Sequence, residues 1–194
     1  MSATDRLFCL LLLSLLLVGC AALPPADEGE GRVAADVDHF LLEGKVAWRH
    51  PRERGNANLS WTQQDESYRL LLTGPLGQGA VTVEGEPERV LVSSARGQQH
   101  AASADALLEH ELGFSVPVEQ ARWWVLGLPA PDAGVDAAAA RPGAEGVHQL
   151  GWQVQWSDWR QVGDYAVPRR VRLERDDLQL TFVIGAWQLG SAER

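Results

Sequence analysis

The chain has 194 residues, 45% hydrophobic and 22% charged, with a formal net charge of -9. That size fits one domain. The acidity argues against a nucleic-acid partner, because phosphate backbones need a basic surface, and two cysteines are too few for a disulfide scaffold. The unusual count is Trp, eight against four Phe and two Tyr. Trp is enriched where a protein meets something apolar.

The N-terminus reads as an address. Met1 to Arg6 is a short polar start, and Leu7 to Leu17 is an apolar run broken only by Ser14. That run fits a signal-peptide core and is too short to span a bilayer. Leu17-Val18-Gly19-Cys20 follows. It resembles the bacterial lipobox, whose Cys becomes the acylated first residue of the mature chain. A plain secretory signal with a chance Cys is the alternative. The resemblance implies that residues 1–19 are removed and that Cys20 carries the lipid. Each buried methylene adds about 0.8 kcal/mol, and several chains together anchor permanently. Cys9 leaves with the signal, so no free thiol remains, which suits an oxidising compartment. Ala21 follows the Cys, and no Asp does. By resemblance to enterobacterial sorting rules, this points to the outer membrane, facing the periplasm. Residues 20–37 are rich in Pro, Gly, Ala and acids and read as a flexible tether. The folded domain is expected over 38–189.

From Phe40 onward, period-2 patterns dominate. Leu42, Val46 and Trp48 share a face, as do Ala57, Leu59 and Trp61. Short strands follow around Tyr68–Thr73, Val81–Glu84 and Arg89–Ser93. In mid-sequence, Ser103 can cap a helix over Ala104–Leu112, ended by Gly113. A second helix runs from Pro117 to Leu126 and is ended by Gly127, with Ala121, Trp124, Val125 and Leu128 on its inner side. Pro129 to Gly146 is aperiodic and reads as a mobile loop. Strands resume with Trp152, Val154 and Trp156, then Val171 and Leu173, then Leu178, Leu180, Phe182 and Ile184.

Consecutive strands with tight turns imply an antiparallel sheet. The fold class is mainly β with a few helices, and a sheet of this size curls into a barrel or half-barrel. The Trp-bearing face is either a packed core or the wall of a hydrophobic cavity beneath two short helices; alternation alone does not decide. The inward candidates are Val46, Trp48, Leu59, Trp61, Leu70, Leu72, Val81 and Val83 in the first strands. Trp124 in the second helix and Trp152, Val154, Trp156, Val171, Leu173, Leu180 and Phe182 complete the set.

Catalytic signatures are missing. There is no G-x-S-x-G, H-E-x-x-H or C-x-x-C. The five His are scattered, and Gly77-Gln78-Gly79 opens no helix. No catalytic residue, metal site or cofactor is expected. Arg169, Arg170, Arg172 and Arg175 read as the solvated face of a strand. One turn is odd: Thr73-Gly74-Pro75-Leu76-Gly77 carries a Leu where turns are polar. Pro75, Leu76 and Gly77 form either an apolar tip for lipid or a partner, or a turn packed back on the core.

Together these residues resemble the LolB family, the outer-membrane receptors of lipoprotein localisation. The matching pieces are Leu42-x-Gly44-x-Val46, Trp61, and Leu70 to Gly77. Further on are Gly113 to Pro117, Trp124-x-x-Gly127-x-Pro129, Gln149-x-Gly151-Trp152-x-Val154, Pro168 and Trp187. The family often has Tyr where Trp156 stands, and Asp132–Gly146 has no pattern to match. The resemblance implies an open antiparallel half-barrel, covered by short helices, whose cavity takes the acyl chains of cargo lipoproteins. The cargo arrives from the soluble periplasmic carrier LolA and is placed in the outer membrane, with the Leu76 loop inserting. A monomer without enzyme activity or cofactor is expected. The competing readings are a lipid-anchored periplasmic module for a small apolar ligand and a structural envelope lipoprotein with a filled core.

Overall fold

The computed structural model describes residues 31–190 apart from 78, 102, 106, 107, 110–112, 132–140 and 142. The expected signal peptide, Cys20 and the first part of the tether lie outside the described residues. Ten strands are present: β1 (His39–His50), β2 (Glu53–Gln64), β3 (Ser67–Thr73), β4 (Ala80–Glu86), β5 (Arg89–Ser94), β6 (Gly97–Ala101), β7 (Gly146–Gln149), β8 (Trp152–Val162), β9 (Tyr165–Arg175) and β10 (Leu178–Gly190). They form one antiparallel sheet in the order β6-β5-β4-β3-β2-β1-β10-β9-β8-β7. The first and last strands meet in the middle, and β6 and β7 are open edges. The fold is mainly β, as expected. The helix α1 (Val118–Val125) crosses the concave face.

The alternation of the sequence places the core. Opposed pairs on the concave face are Leu42 with Trp61, Val46 with Ala57, Trp61 with Leu70, and Leu70 with Val83. Gly185 is an extra residue in β10, because Glu43 pairs with Ala186 and Gly44 with Ile184. This bulge resets the parity. Leu178, Leu180, Phe182 and Ile184 are buried before it, and Trp187 and Leu189 pack on the core after it. Trp187 meets Phe40 edge-on at 5.5 Å. The inward run therefore continues past Ile184, where simple alternation loses it.

Three expectations need correction. The tether does not extend to 37. Arg32 bridges to Tyr165, its N–H donating to Asp164 O at 2.9 Å, and Ala34 and Val37 are buried. The packed unit thus includes the residues from Gly31 to Val37, held by backbone hydrogen bonds that leave no hydrophobic period. Second, the Pro129–Gly146 stretch is anchored at both ends: Ala130 and Ala144 are buried, and β7 begins at Gly146. Its middle lies outside the described residues. Third, Arg175 leaves the solvated stripe. It lies over the Trp152 ring at 4.4 Å, because its register position is on the concave face.

The second helix forms as expected, with Pro117 just before it. Its end is set by Gly127 at φ +82. The Leu128 N–H donates to Trp123 O at 3.0 Å and the Gly127 N–H to Trp124 O at 3.1 Å, a Schellman closure. A Cβ on Gly127 would also come within 2.4 Å of the Trp159 ring. In the expected first helix, Ala104, Asp105, Leu108 and Glu109 have helical backbone. The Gly113 N–H donates to Glu109 O at 2.9 Å. Leu107 and Leu112 lie outside the described residues.

A buried amide ties α1 to the sheet. Gln149 Oε1 accepts from Trp124 Nε1 and from the Ala130 N–H, each at 2.9 Å, and its Nε2 donates to Ala130 O at 2.9 Å. Gln149 is 2% exposed. Loss of a buried partner costs about 1–3 kcal/mol per orphaned group. Gln149→Leu should therefore lower unfolding stability by roughly 3 kcal/mol or more, read by urea denaturation. An unchanged midpoint would contradict the clamp.

Candidate functional site

The concave face has two unlike halves. Beneath α1, the C-terminal strands form a filled core. Trp124 and Trp152 pack at 6.3 Å, and Trp156 Nε1 donates to Trp124 O at 2.7 Å. Val154, Val171 and Leu173 are fully buried around them. Beside this core lies a void of about 60 Å³. Its floor is Val46 and Trp48 of β1, Leu59 and Trp61 of β2, Leu70 and Leu72 of β3, Val83 of β4, and Leu180 and Phe182 of β10. Its cover is Leu108, Phe114, Val116, Val118 and Ala121.

These nine floor residues are among those expected from the sequence, and the structure brings them together. The other candidates do not line the void. Trp124, Trp152, Val154, Trp156, Val171 and Leu173 belong to the other half, where they are buried against one another and do not reach this void. Val81 packs on the core edge outside the wall. Phe114 and Val116 were missed as lining residues. Their signal was the alternation Phe114-Ser115-Val116-Pro117-Val118 between the helices.

The wall is apolar with one exception. Trp61 Nε1 is committed to Gln63 Oε1 at 3.0 Å, whereas Trp48 Nε1 is buried without a partner among the described residues. The Trp48 ring lies flat against Gly55, where a Cβ would come within 2.2 Å of it, and it meets Phe114 at 6.1 Å.

A larger open cleft of about 950 Å³ lies outside the apolar wall, between Asp38, Phe40, Gln63, Asp65, Arg122 and Trp123. Its side chains are mixed and hydrogen-bonded: Gln63 Nε2 and Arg122 Nη1 both donate to Asp65 O, at 2.7 and 2.6 Å. Asp38, His39 and Asp65 form the one cluster with metal-ligand spacing among the described residues. His39 Nδ1 already meets Asp38 at 2.6 Å, and its Nε2 lies 3.8 Å from Asp65. The hydrogen bond to Asp38 raises the His39 pKa, and both carboxylates add to it. The Asp38 hydrogen bond already engages one of the two imidazole nitrogens of this cluster.

The odd turn is a closed loop. Pro75–Gly77 is a 3-10 turn. The Gly77 N–H donates to Gly74 O at 3.1 Å and the Gly74 N–H to Gly79 O at 3.2 Å. Gly77 and Gly79 have φ +77 and +65, and a Cβ on either would meet nothing within 4 Å. Leu76 is at the middle of this turn, whose Pro75, Gly77 and Gly79 are exposed. The Leu76 side chain and Gln78 lie outside the described residues, as does Cys20.

The sequence matches the family of outer membrane lipoprotein LolB over residues 38–187. It is 38% identical over 192 residues to the outer-membrane lipoprotein LolB of Stutzerimonas stutzeri (strain A1501), covering 91% of this chain and 92% of that relative. The chain belongs to the LolB family. The Chromohalobacter salexigens LolB is 32% identical over 197 residues, covering 96% of this chain and 92% of the relative. A solved DUF1329 family protein from Desulfovibrio piger ATCC 29098 shares the fold at TM-score 0.51 and 7% identity, covering 83% of this chain and 89% of that one. As a member of this family, the chain is a lipid-anchored outer-membrane lipoprotein that serves lipoprotein localisation. Among the described residues, no helix is long and apolar enough to cross a membrane.

A charge sits in the covering segment. Burial raises the pKa of Asp105, and the neighbouring Glu119 carboxylate adds to it. The folded state therefore holds this proton more tightly than the unfolded chain. The associated stability is fully present below the unfolded pKa and is lost as pH rises through the folded one. Asp105→Asn should raise the melting temperature at pH 7 and leave it unchanged below about pH 4. A gain of equal size at both pH values would contradict this assignment.

Proposed function

We propose that this chain accepts lipoproteins from the periplasmic carrier LolA by taking their acyl chains into the apolar cavity, and then inserts them into the outer membrane. The observation that carries the reading is the under-filled apolar pocket on an open sheet, covered by a short helix, in a LolB-family chain. Apolar contacts are non-directional, so they suit cargoes that share only their lipid. Burial at roughly 25 cal/mol per Å² supplies the drive, and transfer runs down an affinity gradient. Cys20 holds the receptor at the membrane, and the Pro75-Leu76-Gly77 loop carries the cargo's point of insertion. Residues 1–19 are the signal, and Cys20 begins the tether that leads to the packed domain.

The resting void is far below the roughly 300–1,000 Å³ of ordinary ligand pockets. Loading therefore requires the covering residues Leu108, Phe114 and Val116, which precede the clamped α1, to lift from the strands. Trp48 Nε1 is the uncommitted donor on the wall and matches the ester or amide carbonyl at the head of an acyl chain. The receptor acts as a monomer: its edge strands are only five and four residues long, and short edges resist pairing with a second sheet. The resting volume by itself favours a second reading, a module for a small apolar ligand. In that case Leu76→Glu leaves function intact.

The test mixes the mature chain carrying Cys20→Ser with LolA loaded with an acylated lipoprotein and follows the cargo. Cargo should move to this chain. Ala121→Phe fills the void at a stability cost of about 1–3 kcal/mol and should reduce transfer at least tenfold while the fold persists by circular dichroism. Cargo that stays on LolA beside a folded receptor would overturn the reading.

A further inference from the structure

The sheet order and register place three turns side by side along one end of the β1–β6 half: β1–β2, β3–β4 and β5–β6. The middle one is the Pro75–Gly77 loop. The β5–β6 turn on one side carries Arg96, and the β1–β2 hairpin on the other carries Arg49, Arg52 and Arg54. Thr73 at the end of β3 pairs with Asn58, so β2 runs five residues further toward this end, about 17 Å at strand rise. The arginine hairpin thus extends past β3 on the side of the apolar loop, while on its other side Arg49 stays paired with Gln179 of β10.

Two features set these arginines apart. Arg49 and Arg54 are directly opposed across the hairpin, and like charges in that position destabilise a strand pair. Arg49, Arg52 and Arg54 are exposed and make no ion pair among the described residues. Glu53 is the one acid in the hairpin, and Asp176 and Asp177 lie in the neighbouring β9–β10 turn. The other end of the same strands is acidic, with Asp38 at the start of β1, Asp65 and Glu66 in the β2–β3 turn, and Glu86 and Glu88 around the β4–β5 turn. Glu174, Asp176 and Asp177 face Arg49 from across β10, so the cationic side of the hairpin is the one toward the loop, where Arg52, Arg54 and, beyond the loop, Arg96 lie in a chain of net charge -9.

We infer that the Arg49–Arg54 hairpin is a headgroup-binding surface that grips anionic phospholipid beside the loop and aims Leu76 at the bilayer. Guanidinium groups match phosphodiester oxygens as paired donors. The acidic end is about 40 Å away along β1, several Debye lengths of about 8 Å at physiological salt, so it does not cancel the local attraction. The anchor is compatible with this contact. The chain enters β1 at the acidic end, and the stretch from Cys20 to Gly31 reaches about 40 Å at most, the length of β1. Both ends can engage one bilayer when the domain lies along it.

This rests on the insertion reading of the Leu76 loop, and the test separates the two. The mature chain with Cys20→Ser, which has no lipid of its own, is floated with phosphatidylcholine vesicles with or without phosphatidylglycerol. Phosphatidylglycerol should strengthen binding, and added salt should weaken it. Each arginine near an anionic surface contributes about fivefold. The variant R49Q/R52Q/R54Q should lose roughly a hundredfold on the anionic vesicles, while R49K/R52K/R54K should keep most of the binding and shows that the hairpin still folds. Binding unaffected by the Gln set, or indifferent to phosphatidylglycerol and salt, would overturn the inference. If Leu76→Glu removes binding to both vesicle types while the Gln set changes nothing, insertion stands and headgroup binding falls. If the Gln set removes binding and Leu76→Glu does not, headgroup binding stands and insertion falls.

Discussion

Among the described residues, one curved ten-stranded sheet has more concave face than the eight-residue helix α1 can cover. Everything in this chain follows from how that shortage is resolved. Over β8 and β9 the problem is solved with volume. Trp124, Trp152 and Trp156 fill the space, and Gln149 fixes α1 and the segment after it by three hydrogen bonds. Over β1 to β4 the floor is Val and Leu with two Trp, and the cover is Leu108, Phe114 and Val116 with Val118 and Ala121 of α1. The fit there is incomplete, and a small void remains. A packed half beside a loose half gives a rigid wall and a yielding one, which is the arrangement a lipid-accepting receptor needs.

The energetics favour a cover that moves. Among the described residues, the cover meets the floor through apolar side chains, so the proposed acyl chain would replace these contacts with others of the same kind. The half-buried Asp105 adds a small destabilising charge to the same segment. The filled half behaves differently, because displacing α1 would orphan the buried amide and indole groups. Opening is thereby confined to one side of the fold. The charge pattern adds orientation, since the β1–β6 half is acidic where the tether enters and cationic around the apolar loop.

Much of this was legible in the sequence. Alternation at Leu42–Trp48, Ala57–Trp61 and Leu178–Ile184 placed the inner face correctly, and Gly127 marked the end of α1. What escaped has physical causes. The Gly185 bulge shifts parity in the middle of β10, so Trp187 and Leu189 fall out of phase. β6 and β7 are edge strands whose residues, such as Gln98 and His148, bear no hydrophobic period. The Gly31–Val37 segment is held by backbone pairing to β9, which no composition reports. The split of the tryptophan face was also invisible. Trp48 and Trp156 look alike in alternation, and only the position of α1 over β9 decides which one lines a void.

The central claim is that the β1–β4 half of the concave face yields to an acyl chain while the tryptophan half stays closed. It is tested most directly by loading the chain with a lipopeptide whose acyl tail carries a diazirine and mapping the photo-crosslinks by mass spectrometry. The account predicts adducts on Val46, Leu59, Leu72, Leu180 and Phe182 and on the covering Phe114 and Val116. Adducts centred on Trp152, Val154 or Leu173, or confined to the outer surface of the sheet, would contradict it.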